Sequence, residues 1–207
     1  FARIDLPRFS KESKARSTGY LRLLLQRKNY LIFMLTFVFE VSLSSGLAFV
    51  PLLAQGKPAM RAGFFYTFLG LTAVLMRVYG GSRFRFWGSP RMILPAFYFL
   101  TAGGILTYLA SNDFLLALSA SIWGIGTGIL YPHLTALVIE GVPSLDRGKV
   151  LSLFASAVDL GFALGPLSFG SVSNSLGFRN AFLFLALFIF LSSTGLILIV
   201  RPFKGAR

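Results

Sequence analysis

Six stretches of this chain, each about 20 residues long, carry almost no charge, and a run of that length matches the span of a bilayer core. They cover residues 30–53, 63–80, 92–110, 114–139, 150–172 and 181–200. A 20-residue helix is about 30 Å long, so each stretch can cross the hydrocarbon layer as a helix. Backbone N–H and C=O groups find no water there and must pair within the protein. The expected fold is therefore an all-α membrane protein with six transmembrane helices. Composition is a weaker guide. The chain is 55% hydrophobic with 23 Phe and 21 Gly, while soluble domains also approach about 50% apolar.

Charge lies between these runs. There are 20 Lys and Arg against 7 Asp and Glu, a net charge of +13. In a water-soluble chain such an excess would suggest nucleic acid. Here it sets orientation and meets anionic lipid head groups, and no nucleic-acid partner is expected. Residues 1–28 form a basic arm with eight Lys/Arg, ending in the amphipathic "GYLRLLLQRK", a stretch suited to the membrane surface. The bundle follows at 29–201 and a basic tail at 202–207. Counted by alternate sides, sixteen Lys/Arg fall on the face of the termini, and Lys57, Arg61 and Arg179 fall opposite. The positive-inside bias then places both termini in the cytoplasm. The chain has no cysteine and begins at Phe1, so disulfides and thiolate metal sites are excluded. It reads as a fragment of something longer or a processed product.

Four places resemble one half of a major facilitator superfamily transporter. After the second run, "RVYGGSRFRFWGSPRMIL" is similar to the family's cytoplasmic loop motif. Arg77, Gly81, Gly88 and Arg91 fit it, whereas Arg85 and Phe86 stand where Asp and Arg are usual. "WGIGTGILYPHLTALVIEGVPSLDRGK" resembles the Gly-rich fourth helix with its proline and following loop. Ala120 stands where many N-terminal halves carry Arg, which favours the C-terminal half. "DLGFALGPLSFG" resembles the Gly-Pro motif of drug:proton antiporters, and "LGFRNAFLF" the opening of a final half-bundle helix.

The resemblance implies one six-helix half-bundle, with its two sets of three helices related as inverted repeats. It makes the basic arm the linker between halves. It implies alternating access around a midplane site and a partner N-terminal half, covalent or separate. The drug/metabolite:proton efflux branch and a bacterial inner membrane follow from the same likeness.

Intramembrane carboxylates are the first candidates for chemistry. Glu40 sits mid-run in "FVFEVSLSSG", where a charge costs about 2.5–3.5 kcal/mol on insertion scales. It reads either as a protonation or cationic-substrate site, or as a structural Glu bonded within the bundle. Asp159 reads as a second such carboxylate, or as a helix–helix hydrogen bond. His133, after Tyr131-Pro132, could relay protons or simply pack.

Phe37, Trp123 and Tyr131 are candidate cavity-lining aromatics, with Phe39 beside them. Glu140, Asp146, Arg147 and Lys149, and the loop residues Arg77, Gly81, Arg83, Arg85, Gly88 and Arg91, form a gating network or a solvated, basic inner face. Gly124, Gly126, Gly128, Gly161 and Gly165 clear helix faces for close packing, and Pro132 and Pro166 permit kinks. No metal site, cofactor loop or catalytic triad spacing is present in the sequence.

These residues point to a proton-coupled exporter of a small organic molecule. The departure at Arg85 keeps a second reading open, a non-transporting receptor or assembly module built on the same fold.

Overall fold

A computed structural model describes residues 19–55, 57–83 and 92–200, and among these the regular elements are α-helices. They are α1 (Tyr20–Leu24), α2 (Arg27–Ala54), α3 (Ala62–Arg83), α4 (Ile93–Leu109), α5 (Asp113–Ile139) and α6 (Ser144–Val200). Gly177 divides α6 into two limbs, because its φ of +80° and ψ of 153° lie outside helical space. Only glycine occupies that region without strain. The bundle is thus made of α2, α3, the shorter apolar α4, α5 and the two limbs of α6, six segments in all among the described residues.

The first limb runs past residue 172, where the apolar pattern ends. Its polar last turn stays helical, and its hydroxyls are satisfied by bonding backward along the helix. Ser173 Oγ donates to Gly170 O at 2.9 Å and Ser175 Oγ to Ser171 O at 3.3 Å. Across the bend Asn180 Nδ2 donates to Leu176 O at 3.0 Å. A polar run therefore does not end a helix here; the positive-φ glycine does.

α5 packs along α3 and α4, α2 along the first limb of α6, and α4 along the second limb. Glycine makes these contacts possible, since lipid supplies no hydrophobic drive between helices. A Cβ on Gly124 would come within 2.7 Å of Leu69 O, and one on Gly128 within 2.8 Å of Ala73 O, both on α3. A Cβ on Gly126 would instead meet Ala96 O of α4 at 2.8 Å. The three glycines look like one cleared strip in the sequence, but they serve opposite faces of α5. On the first limb, Gly161 abuts Phe37 and Glu40 of α2, and Gly165 abuts Val41 and Ser44.

Trp123 of α5 closes the centre. Its indole fills the space left by Gly46 on α2 and Gly103 on α4, and it stands edge-on to Phe65 of α3 at 5.7 Å. One side chain thereby touches three neighbouring helices.

Polar contacts gather at the two ends. At one, Arg61 donates to Asp113 from its backbone N at 2.6 Å and from Nε at 2.8 Å, and Arg179 Nε donates to Tyr108 O at 2.8 Å. At the other, α1 buries Leu23, and Asn29 Nδ2 donates to Leu23 O at 2.9 Å. Lys28 Nζ donates to Glu140 O at 2.7 Å. Hydroxyls on α2 bond within their own helix, as in Thr36 to Ile32 O at 2.8 Å and Ser42 to Val38 O at 2.6 Å.

Two glycine substitutions separate contact from conformation. Gly165→Ala places a Cβ 2.7 Å from Val41 O and should cost about 1–3 kcal/mol through overpacking. Gly177→Ala meets open space but should cost about 1–3 kcal/mol through its positive φ. Gly195→Ala, helical and with open space around it, should leave stability within about 0.5 kcal/mol. Thermal unfolding of the full-length protein in detergent checks all three.

Trp123→Ala empties the centre of the bundle and should cost about 3–5 kcal/mol. The same unfolding assay reads it.

Candidate functional site

The α2–α6 seam brings the two intramembrane carboxylates together. Glu40 is 4% exposed, one turn after half-buried Phe37 and one turn before buried Ser44. Gly161 lets the first limb of α6 approach so closely that a Cβ there would lie 2.8 Å from Glu40 Cβ and 2.9 Å from Phe37 O. Ser44 Oγ reaches across the seam to Gly161 O at 3.5 Å. Asp159, two residues before that glycine, lies within electrostatic reach of Glu40.

The two acids differ in access. Asp159 is exposed on the face of the limb that leaves the bundle, while Glu40 sits in the seam behind it. Among the described residues, neither forms an ion pair. Two facing carboxylates without a cation can accept a proton or a monovalent organic cation to reduce their net charge.

Ser152, Ser156 and Asp159 line up at i, i+4 and i+7 and are all exposed. Their spacing makes one polar stripe along the first part of the limb. Attention to single charges missed this stripe, though a helical-period count over polar residues would have found it.

His133 stands apart from the pair. Its Nδ1 lies 2.7 Å from Ile129 O, and Nε2 is buried with no hydrogen-bond partner among the described residues. Tyr131 is 41% exposed and stands edge-on to Phe154 of α6 at 6.2 Å. The Arg77 guanidinium lies 5.9 Å over the Tyr131 ring, so this cluster joins α3, α5 and the first limb.

Trp123, a candidate for lining a cavity or for packing in the core, is 0% exposed because Gly46 and Gly103 open a slot for it in the core. Phe39 is buried as well. Of the candidate aromatics, Tyr131 and half-buried Phe37 reach the surface of the bundle.

Of the charged loop candidates, Glu140, Asp146 and Arg147 find partners within the chain. Lys28 Nζ lies 3.7 Å from Glu140 Oε2 and Lys149 Nζ 3.1 Å from Asp146 Oδ1, and Arg147 Nε donates to Val142 O at 3.2 Å. Gly81 falls in the last turn of α3. Arg85, Gly88 and Arg91 lie outside the described residues. Pro132 is exposed and Pro166 half-buried, each within a continuous helix. Among the described residues no three His, Cys, Asp or Glu side chains cluster in a way that could hold a metal ion.

Comparison with known proteins bears on this architecture. The family model described as Major Facilitator Superfamily matches residues 32–206. A protein named "MFS transporter L2" from a Phoma species is 29% identical over 129 residues, 62% of this chain and 22% of that protein. An uncharacterised MFS-type transporter of Pseudomonas aeruginosa is 32% identical over 106 residues, 51% of this chain and 25% of its own length. Another from Methanocaldococcus jannaschii is 26% identical over 97 residues, 47% and 25% respectively. The matched part thus spans about a quarter of the length of these relatives. With a family match running from the first third of α2 into the basic tail, and with apolar helices packed through glycine seams, the chain is an integral membrane protein that belongs to the Major Facilitator Superfamily.

Proposed function

We propose that this chain is the C-terminal half of a secondary transporter that exports a small organic molecule in exchange for protons. The observation that carries the proposal is the carboxylate pair. Glu40 and Asp159 stand on facing helices, without an ion-pair partner among the described residues. Intramembrane carboxylates are costly and are kept where they move ions or protons. Family membership points to transport rather than catalysis, and its members named above are transporters by name.

In this reading, export begins with substrate bound in a cavity between this half and an N-terminal half. Glu40 and Asp159 take up a proton as substrate leaves, and their neutral form favours return of the empty carrier. Tyr131 and Phe37 offer aromatic surface to the substrate. The glycine seams let helices slide while the bundle rocks. The basic arm at 1–28 links the halves, and Glu140, Asp146, Arg147 and Arg77 act at the inner gate. Ala120 and the arm support the assignment to the C-terminal half. The sixteen-to-three bias of Lys and Arg supports cytoplasmic termini. A bacterial inner membrane fits the Pseudomonas relative.

The test is substrate flux in proteoliposomes carrying the full-length protein under an imposed pH gradient. Glu40→Gln combined with Asp159→Asn should reduce gradient-driven flux to background while leaving substrate exchange at equal pH. Unchanged gradient-driven flux in the double variant would overturn proton coupling through this pair.

A further inference from the structure

A second concave feature lies on the same helices and is independent of the carboxylate pair. A cavity of about 230 Å³ opens between α2 and the two limbs of α6. Val41 and Ser45 line it from α2, Ser168 and Val172 from the first limb, and Phe184 and Phe188 from the second. Its two hydroxyls have committed their protons within their own helices. Ser45 donates to Val41 O at 2.6 Å, and Ser168 to Leu164 O at 2.9 Å. The walls therefore offer no free donor, and water needs two to four polar partners to occupy such a space. An apolar cavity of about 150 Å³ already takes up benzene or xenon, so this one has room for a longer apolar group.

Its position decides the class of occupant. The lining residues lie within the apolar segments on all three walls, toward the end of the two limbs that meet at Gly177. Its rim is open, with Ser168 and Phe184 exposed and with exposed Leu167 and Leu187 beside them. A rim of exposed apolar side chains at that depth continues into hydrocarbon rather than water. An uncharged alkyl chain matches the walls, whereas a head group or an ion would leave its polar atoms unpaired.

We propose that this cavity is an intramembrane lipid site that binds one acyl chain of a bilayer phospholipid between α2 and the two limbs of α6. The bound chain props the seam from the side. Val41 also packs against Gly165 and directly follows Glu40 in the helix. Occupancy of the cavity thus bears on the spacing of α2 and the first limb.

The experiment reconstitutes the full-length protein in phosphatidylcholine vesicles containing a phosphatidylcholine with a diazirine midway along one acyl chain. After illumination, adducts are mapped by peptide mass spectrometry. Adducts on 168–172 and on Phe184 and Phe188 should exceed those on exposed Leu191 and Leu198 by about tenfold, equivalent to a preference of about 1.4 kcal/mol. Val172→Trp, which fills the cavity from the first limb, should remove the excess and leave the outer adducts unchanged.

A parallel arm uses an alkylamine bearing the same diazirine in place of the lipid. Equal labelling of cavity and outer surface by the phospholipid in the unmodified protein would overturn the proposal, whether or not the variant folds. Enrichment with the alkylamine but not with the phospholipid would overturn it as well.

Discussion

Hydrocarbon offers neither water for a peptide group nor a hydrophobic reward for bringing two helices together. Both constraints act on every contact in this bundle. The first forces the chain into helices whose hydroxyls bond back to carbonyls one turn away, as Thr36, Ser42 and Ser45 do on α2. The second makes close backbone approach the source of cohesion. Gly124 and Gly128 against α3, Gly126 against α4, and Gly161 and Gly165 against α2 supply that approach. Trp123 then fills the one wide space that two missing side chains leave, between Gly46 and Gly103.

The same seams place the chemistry. A Cβ at position 161 would push the first limb of α6 away from Glu40, and Asp159 would move with it. The carboxylate pair is therefore a consequence of a packing rule. A site built this way is held by its helix contacts rather than by counter-ions among the described residues. Charged residues at the two ends behave differently. Arg61 with Asp113 and Lys28 with Glu140 tie turns together where water is near, and exposed pairs of that kind add little to stability.

Reading the residues in order makes the helices legible, because apolar length and the near absence of charge are local properties. The end of the fifth segment is less so. Ser173, Asn174 and Ser175 look like a loop, yet serines there bond back to carbonyls and keep the helix going to the glycine at 177. Trp123 illustrates the converse problem. An indole in a glycine-rich helix looks suited to a cavity, and nothing nearby in the chain reveals that Gly46 and Gly103 converge on it. The alternation of Gly124, Gly126 and Gly128 between two neighbours is likewise invisible until α3 and α4 are placed.

By itself the sequence determines that this is an apolar, all-helical chain with basic ends, and that Glu40 and Asp159 are carboxylates within membrane-length runs. Those are matters of hydropathy, length and charge, which each segment carries alone. Tertiary structure decides which helices share a seam, that these two acids come within electrostatic reach of one another, that the aromatic at 123 is core, and that an apolar cavity opens beside Val41 and Phe184. Each depends on where distant backbones come into contact, and in a bilayer that is governed by the shape of small residues on both partners at once.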